Sequence, residues 1–592
     1  MSEPSPTRSG TDAGLVAVGL AMAGSGLWWV SACGSAWVWG RRLPRWRPLA
    51  GWLVFAHPGR PSVAWMSPVG PVWLYWSVAA LVVGAAATVG WGVWRLWRAL
   101  PGGTGGPTGP EGLQLRAGMA ARAAVRAAAG SRALLARADR LRPSVVRPRP
   151  ADVGFRLGSS RGVGCWASVE DSMLVVGPPR SGKGLHLAVP MILDAPGAVV
   201  TTSTRPDNLA LTLAERSGRG PVMVFDPEGL AGPLPAGMTQ LRWPLWRGCE
   251  APGVAIARAE LLVGDGSGSG VENSSFWRNQ AVAVTRCLLH AAALAGAGPD
   301  VLYRWSHTAG HARAALEVLG GHPGASPGWD TALDAVISHD PRTRDSIWSM
   351  VANAFALLAD PQVRTTLDPA AGKAADPTAL IALGGTVYLL GTASGAGRST
   401  SRLVAALVED LVGAGRHLAA RSPGQRLDPP LTMVLDEAAN YPLECLPSLM
   451  AEGGGSGIAT VTVLQSLAQA RDRWGREAAQ AIWDAAIVKV ILGGSANAED
   501  LADLSRMLGE RAEQEWSRTL HPHQPGASLS SSTRWRPVVE VAQLRALPFG
   551  QALLILRAAP PILLRLSPWT ARRDHHRLEA GRAAWEQAAV GA

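Results

Sequence analysis

The 592-residue chain is sparing with cysteine, with lysine and with charged residues in general. Its five cysteines form no C-x-x-C pair, which argues against a cysteine-based zinc site and a disulfide-stapled secreted domain. We therefore expect the bulk of the chain in a reducing cytoplasm. Charged residues make up only 17% of the chain, and hydrophobic residues make up 47%. This balance excludes a disordered, highly charged tail protein and favours a membrane segment.

The excess of positive charge is confined to a short part of the chain. Residues 95–149 contain eleven arginines and two acids, whereas the residues after 149 carry a slight negative net charge. The net charge of +11 and the pI near 10.2 therefore give no argument for nucleic-acid binding by the large C-terminal part. The length alone, at roughly 100–200 residues per domain, predicts three or more domains.

Two long stretches, residues 13–40 and 61–94, contain no charged side chain. A helix that crosses a bilayer needs about 20 such residues, and tryptophans cluster near the ends of both stretches, as in interfacial belts. The sequence thus predicts a two-helix transmembrane anchor in residues 1–100, with spans at about 13–40 and 68–94. A signal peptide is the alternative for the first stretch, but the second apolar stretch soon after it argues against one.

A Gly/Pro-rich hinge at residues 101–112 begins a basic juxtamembrane segment that we assign to residues 101–150. Residues 113–142 are rich in Ala and Arg, which predicts a helix. Its arginines either meet anionic lipid headgroups or face solvent, and the sequence leaves both interpretations open. Arg95 and the arginines after it favour a cytoplasmic C-terminal side, whereas five arginines between the two spans favour the opposite orientation.

The clearest motif is a glycine-bounded loop between a strand and a helix. Residues 172–177 predict a buried strand, residues 177–184 read GPPRSGKG, and residues 185–193 begin a helix. In such a loop the backbone N–H groups face phosphates and the lysine ammonium reaches the outer ones. Glycine stands at 184 where the usual pattern has a Mg²⁺-binding Ser or Thr, so water or Ser181 would replace that hydroxyl. The candidate nucleotide-binding residues are Gly177, Pro178, Pro179, Arg180, Ser181, Gly182, Lys183, Gly184 and Leu185.

The use of lysine supports this interpretation over a merely structural glycine-rich turn. The chain has only three lysines, Lys183, Lys373 and Lys489, beside 53 arginines. A lysine in the loop therefore supplies a compact point charge at a position where a guanidinium fork would not fit. The loop predicts ATP binding. Because nucleoside triphosphates are available in the cytoplasm, it also places the C-terminal part there, below a multi-pass anchor in the cytoplasmic (inner) membrane.

Two acids and a glutamine follow predicted strands further along the chain. Residues 431–437 predict an apolar strand that ends in Asp436 and Glu437. In phosphate-loop enzymes the first acid holds Mg²⁺ and the second orients or deprotonates the attacking water, although such a pair can also cap a helix. Residues 457–465 predict a strand that ends in Gln465, which either contacts the γ-phosphate or caps a helix.

The remaining pattern predicts an α/β fold. Further short apolar runs lie at residues 197–201, 222–226, 386–390 and 487–492. They alternate with helical patterns, which predicts a mostly parallel sheet with helices on both faces and ligands at the carboxyl ends of its strands. The strand signal fades between about 244 and 370, which predicts an all-helical domain between nucleotide-binding parts at 151–243 and 371–592. The histidines of this region have no metal-ligand spacing.

The order of these motifs resembles that of the TraG/TraD-type conjugative coupling proteins, membrane-anchored ATPases of type IV secretion. After the two predicted spans, the resemblance is carried by GPPRSGKG, STRPDNL at 203–209, FDPEG at 225–229, FWRNQA at 276–281, LDEAANYP at 435–442, LQSLAQ at 464–469 and LSRMLGER at 504–511. Glycine after the lysine is usual in much of this family. The resemblance covers roughly residues 13–570.

The resemblance implies a RecA-like P-loop motor that is a homohexamer and uses ATP and Mg²⁺. Lys183 would bind phosphates, Asp436 would bind Mg²⁺, and Glu437 would act on the catalytic water. Family members also use an arginine of a neighbouring subunit, for which Arg398 and Arg402 are the candidates. The implied partners are the membrane, relaxase-bound single-stranded DNA and/or protein substrates, and the components of a type IV secretion channel.

Two other functions remain open at this point. One is a substrate receptor whose nucleotide site does not hydrolyse ATP. The other is an FtsK-type double-stranded DNA pump, which would favour a C-terminal winged helix. Residues 520–536 predict a flexible loop with no assigned role.

Overall fold

The computed structural model of the chain describes residues 9–47, 50–99, 110–235, 238–264, 274–368, 376–392, 397–441, 443–520 and 527–590. The chain divides into two units, Met1–Gly106 and Pro107–Ala592. The first unit is helical in its described part, and the second contains all of the described strands.

The second unit is built on one large sheet and one separate hairpin. The strands are β1 (Gly154–Ser160), β2 (Val163–Ser168), β3 (Met173–Val176), β4 (Val199–Ser203), β5 (Val222–Phe225), β6 (Thr239–Gln240), β7 (Thr386–Leu390), β8 (Leu431–Leu435), β9 (Ile458–Leu464), β10 (Val488–Leu492), β11 (Glu510–Leu520), β12 (Ala527–Pro537), β13 (Gln551–Leu556) and β14 (Ile562–Leu566). Twelve of them form a sheet in the order β2-β1-β14-β13-β10-β3-β9-β8-β4-β7-β5-β6, and β11 pairs with β12.

Neighbouring strands are parallel from β10 to β6 and antiparallel from β10 to β2. Every residue of β3, β7, β8 and β9 is buried, as expected for parallel strands that helices cover on both faces. The predicted mostly parallel α/β sheet is thus confirmed. The antiparallel strands β1, β2, β13 and β14 extend it beyond the prediction.

The helices fall into three groups. The first unit contains α1 (Ser9–Val38), α2 (Ala50–Leu53), α3 (Pro61–Trp65) and α4 (Val72–Ala99). Short helices precede the sheet: α5 (Pro110–Leu115), α6 (Arg122–Ala129), α7 (Ser131–Leu135), α8 (Ala138–Leu141) and α9 (Pro150–Val153). The others are α10 (Val189–Asp194), α11 (Asp207–Ser217), α12 (Pro252–Val263), α13 (Ser274–Ala295), α14 (Pro299–His307), α15 (Arg313–Gly321), α16 (Trp329–Ile337), α17 (Pro341–Ala354), α18 (Pro361–Leu367), α19 (Pro377–Ala382), α20 (Gly397–Ala420), α21 (Leu446–Glu452), α22 (Leu467–Ala485), α23 (Ala498–Met507), α24 (Val541–Arg545) and α25 (His575–Val590).

A helical region interrupts the parallel part of the sheet. Helices α12 to α19 lie in the chain between β6 and β7, and the described residues between those strands contain no strand of their own. Several helices begin with a proline that follows an aspartate, and Asp340 and Asp360 accept hydrogen bonds from backbone N–H groups of the first turns of α17 and α18. These caps satisfy donors that a helix leaves free at its start.

The structure of the first unit corrects the predicted anchor. Among the described residues one helical segment, Val72–Gly92, is long and apolar enough to cross a membrane, with a mean hydropathy of 1.8. It lies within the predicted span 68–94. The first predicted span, residues 13–40, falls on α1, whose side chains before residue 22 lie outside the described residues. With one such segment among the described residues, a two-helix anchor and a multi-pass topology are not supported.

The residues between α1 and α4 are also more ordered than the basic loop that the sequence predicts. Helices α2 and α3 contribute to a small core in which Trp65 and Tyr75 are fully buried. The hydroxyl of Ser35 on α1 donates a hydrogen bond of 2.6 Å to the carbonyl of Val69. Small side chains on α1 allow this close approach.

The single Ala/Arg-rich helix predicted at 113–142 is instead broken into four short helices, α5 to α8. Gly130 marks one break, because its extended backbone (φ −72°, ψ 152°) ends α6 before α7 begins. A Cβ there would stand 2.4 Å from the carbonyl oxygen of Arg126, so the position requires glycine. The apolar residues Val125, Ala129 and Leu134 are buried in a cluster with β1 and β2. The apolar face of this segment therefore covers the antiparallel edge of the sheet, and the segment is not one continuous helix.

The flexible loop predicted at 520–536 is also wrong over its described residues. Strand β12 pairs with β11 over eleven residue pairs, from Glu510 with Pro537 to Leu520 with Ala527. Arg536 forms ion pairs with Glu513 and Glu515 across the hairpin. The serine-rich composition of β12 gives little indication of a strand. Its strand conformation depends instead on pairing with β11.

Candidate nucleotide-binding site

The phosphate loop begins where β3 ends. Val176 is level with Leu464 of β9, and the N–H of Gly177 continues the pairing with a hydrogen bond of 3.1 Å to the Leu464 carbonyl. The chain then turns through residues 177–183 into a single π-helical turn, Gly184–Ala188, which continues into α10. This is the strand–loop–helix context that the phosphate-loop prediction requires.

The loop requires glycine at position 182 but not at position 184. Gly182 has φ +86°, and a Cβ on it would lie 2.6 Å from Nδ1 of His186, so a side chain there is excluded by strain and by space. Gly184 has no heavy atom within 4 Å of the position that its Cβ would take. The fold therefore accommodates a side chain at the position where the usual pattern has Ser or Thr.

Lys183 bridges the loop. Its Nζ donates hydrogen bonds of 2.5 and 2.9 Å to the carbonyls of Gly177 and Pro178. Burial lowers the pKa of the ammonium, and the nearby carboxylates of Asp436 and Glu437 oppose this effect. The lysine and the two acids, 253 and 254 positions apart in the chain, thus face one another at the same edge of the sheet.

Asp436 is held at the end of β8. Its carbonyl accepts a hydrogen bond of 2.9 Å from the hydroxyl of Thr202, which lies at the end of the neighbouring strand β4. One carboxylate oxygen accepts from the N–H of Glu437 at 3.0 Å, and the other lies 3.4 Å from the amide nitrogen of Asn208. Burial, with a smaller contribution from the charge of Glu437, raises the pKa of Asp436 to about 6. Such an acid is stabilised as a carboxylate by a cation.

Glu437 is oriented by three polar side chains. Its backbone has φ +52°, a left-handed conformation that few non-glycine residues adopt and that functional sites often retain. Oε2 accepts hydrogen bonds from the hydroxyl of Thr204 at 2.5 Å and from the amide of Asn440 at 3.1 Å. Oε1 lies 3.5 Å from the amide nitrogen of Gln465.

The structure thus brings together Lys183, Asp436, Glu437 and Gln465, and adds residues that the sequence interpretation did not assign. Thr204 and Asn208 lie in the STRPDNL run, and Asn440 lies in the LDEAANYP run. These runs carried the family resemblance, so the signal was present. Their roles depend on which strand lies beside β8, which the sequence alone does not give.

The two candidate arginines, Arg398 and Arg402, both lie near the start of α20. Arg398 lies in the first turn of α20, and its side chain is outside the described residues. Arg402, one turn later, donates a hydrogen bond of 2.6 Å to the carbonyl of Leu262 within the same chain. Ser181, which was the candidate to replace the missing hydroxyl, donates to the carbonyl of Pro178 at 2.7 Å.

The residues present fit a magnesium–triphosphate group. The first turn of a helix leaves its N–H groups without intrahelical partners, and here that turn directly follows the loop. A buried carboxylate with a raised pKa faces the loop lysine, and oxygen donors of this kind are those that Mg²⁺ prefers. Lys183 and the loop backbone would hold phosphates, and Asp436 would hold the metal.

A family model described as the "TraM recognition site of TraD and TraG" matches residues 430–549. The TraG/TraD-type resemblance is confirmed there. The matched segment contains β8, Asp436, Glu437 and Gln465, and it ends beside the phosphate loop at Phe549, whose ring lies edge-on to His186 with centroids 5.1 Å apart. No curated protein matches the chain.

Solved structures of the bacterial conjugative coupling protein TrwB share the fold. The unbound form, TrwBdeltaN70, is 19% identical, with 70% of this chain and 88% of that chain covered at a TM-score of 0.50. TrwB in complex with ADP and Mg²⁺ is 18% identical, with 72% and 91% covered at 0.50. TrwB with the ATP analogue ADPNP is also 18% identical, with 70% and 89% covered at 0.50. The predicted RecA-like α/β fold is thereby confirmed.

Proposed function

We propose that this protein is a membrane-anchored ATPase of the TraG/TraD coupling type. The observation that carries the proposal is the convergence of Lys183 with the acid pair Asp436 and Glu437 at the carboxyl ends of β3 and β8. The match of residues 430–549 to the family model supports the same assignment. Two of the TrwB structures are complexes with ADPNP or with ADP and Mg²⁺, which supports ATP and Mg²⁺ as the ligands of this chain.

The chain's own residues suit the hydrolysis of a terminal phosphate. Bound Mg²⁺ would neutralise charge on the phosphates. Lys183 adds a positive charge at the same place, and the loop backbone fixes the position of the triphosphate. Glu437, held from one side by Thr204 and Asn440, orients the attacking water and accepts its proton. The amide of Gln465 contacts the other oxygen of Glu437 and so links the reaction to β9.

Hydrolysis would drive transport toward a type IV secretion channel. We propose relaxase-bound single-stranded DNA and/or protein as the cargo, a homohexamer as the working assembly, and recognition of a TraM-like partner by residues 430–549. Segment Val72–Gly92 would hold the protein in the inner membrane, with the second unit in the cytoplasm.

The direct test is phosphate release by the full chain in detergent with Mg²⁺ and ATP, with and without single-stranded DNA. The wild type should hydrolyse ATP, and Lys183→Ala should abolish hydrolysis while the protein stays in the membrane fraction. Lys489→Ala is the matched control, since Lys489 is a second half-buried lysine whose Nζ bonds a backbone carbonyl, that of Ala486, and it lies outside the site. Nucleotide binding without any turnover, even with DNA present, would favour a receptor whose nucleotide only locks the assembly.

A further inference from the structure

A cavity of about 750 Å³ lies between the phosphate-loop helix and the C-terminal helix. Gly184, Leu185 and Val189 line it on one side, and Trp569 and Trp585 line it on the other. Its volume is within the ~300–1,000 Å³ of small-molecule sites. The cavity therefore starts at the two residues that directly follow Lys183.

The segment that carries Trp569 and Trp585 is firmly packed against the rest of the second unit. Trp569 packs in a buried cluster with Val189 of α10, and Trp585 packs in another with Leu209 of α11. Two ion pairs hold this C-terminal segment to the same helices. Arg572 meets Asp194 at 2.7 Å, and Arg577 pairs with Glu215. Trp569 is thus held against α10, which follows the phosphate loop, and Trp585 is held against α11.

Two arginines contribute polar groups to the cavity lining. Arg205, in the turn after β4, pairs with Asp207 at 3.5 Å. Arg582, on α25, pairs with Glu586 at 2.7 Å. All four side chains are largely exposed. Guanidinium planes stack on aromatic heterocycles, and the carboxylates accept hydrogen bonds from exocyclic amines.

We propose that this cavity binds the base and ribose of the nucleotide, so that the C-terminal helix α25 completes the nucleotide site. The inference rests on the proposed function, because it takes the phosphates to lie on residues 177–184. A triphosphate whose outer phosphates meet Lys183 has its inner end at Gly184 and Leu185, where the cavity begins. Trp569 and Trp585 are 7% and 6% exposed, so each indole presents only a small part of its ring to the cavity, and a base there gains an edge-to-face aromatic contact.

The first test compares two ligands, ATP and inorganic tripolyphosphate, on the full chain in detergent. Trp585→Leu should weaken ATP binding about three- to tenfold, as expected for a lost edge-to-face aromatic contact, and should leave tripolyphosphate affinity unchanged. Lys183→Ala should weaken both ligands. Trp535→Leu, at an exposed tryptophan of the β11–β12 hairpin, is the matched control and should change neither. Equal ATP affinity in wild type and Trp585→Leu would overturn the inference.

The second test covers the possibility that loss of a buried indole unfolds the chain. Trp569→Phe and Trp585→Phe keep an aromatic ring in each cluster but remove the fluorescence donor. Energy transfer from tryptophan to bound N-methylanthraniloyl-ATP should fall in both variants and stay unchanged in Trp535→Phe. An equal signal in all three variants would contradict a base in this cavity. Failure of the wild type to bind either ATP or tripolyphosphate would instead overturn the proposed function.

Discussion

The side-chain amide of Gln465 lies 3.5 Å from Oε1 of Glu437. Gln465 directly follows β9, and β9 is the strand between β3, which leads into the phosphate loop, and β8, which leads into the acid pair. The contact therefore connects the carboxylate to the strand that lies directly beside the loop. Ser466, the next residue after Gln465, is the N-cap of α22. A change at the terminal phosphate that moves Glu437 would therefore move Gln465 and the start of α22.

Glu437→Gln should abolish most of the hydrolysis while it preserves nucleotide binding. The amide keeps the shape of the side chain and can still accept from Thr204, but it cannot accept a proton, so we expect a loss of at least about 100-fold in turnover. Phosphate release and ATP affinity, measured on the same preparation, separate the two effects. Glu452→Gln, on an exposed carboxylate of α21, should leave both values unchanged. Undiminished turnover in Glu437→Gln would remove Glu437 from the proposed role.

Much of the parallel sheet and the edge that carries the site could be predicted from the sequence. Strands such as β3, β7, β8 and β9 are short, mostly apolar runs, and parallel strands covered on both faces require that pattern. Polar residues directly after such runs necessarily gather at one edge. The location of Lys183 and the acid pair therefore follows from local signals.

What the sequence could not give depends on distant partners. Strands β1 and β2 contain glycine and serine and lack an apolar run, and β1 pairs with β14, about 400 residues away. The orientation of Glu437 depends on the turn at φ +52° and on Thr204 from a different strand end. The pairing of β12 and the breaks between α5 and α8 are likewise decided by packing rather than by local composition.

Gly184→Thr should be tolerated, whereas Gly182→Thr should not. A Cβ at 184 meets open space, so we expect the variant to keep its unfolding midpoint and its ATP affinity. Its hydroxyl would stand where the usual pattern supplies a Mg²⁺ ligand, so less Mg²⁺ should be needed for half-maximal ATP binding. At 182 the positive φ and the contact with His186 should cost about 1–3 kcal/mol and abolish binding. Magnesium titrations and thermal unfolding of both variants check this pair. Loss of ATP binding in Gly184→Thr would show that glycine itself is required.

Arg398→Ala should inactivate hydrolysis in a way that a neighbouring subunit can rescue. If Arg398 acts on the site of the next subunit, a mixture of inactive Arg398→Ala and inactive Lys183→Ala chains contains sites with both groups intact. Phosphate release by the co-assembled mixture should then exceed that of either variant alone. Arg402→Ala is the comparison, because its guanidinium bonds the carbonyl of Leu262 in its own chain. We expect that variant to lower the unfolding midpoint. A mixture with no recovered activity would assign Arg398 no role in the neighbouring site.

A buried acid outside the nucleotide site should make stability depend on pH. Glu409 on α20 faces Glu444 and the backbone N–H of Cys445. Burial raises the pKa of Glu409 from 4.5 to about 7, the charge of Glu444 adds to this rise, and Arg258 opposes it. The folded chain therefore keeps a proton that the unfolded chain releases, and the free energy of unfolding falls as the pH rises from about 4.5 to about 7.

Glu409→Gln removes this titration, so its stability relative to the wild type should be greater at pH 8 than at pH 5. The difference should be about 2 kcal/mol, since each unit of pKa shift is worth about 1.4 kcal/mol before solvent screening reduces it. Denaturant unfolding of the wild type and the variant at both pH values measures it, and other titrating groups cancel in the comparison. Glu452→Gln, at an exposed carboxylate, should run parallel to the wild type. Parallel curves for Glu409→Gln as well would mean that Glu409 titrates alike in the folded and unfolded chains.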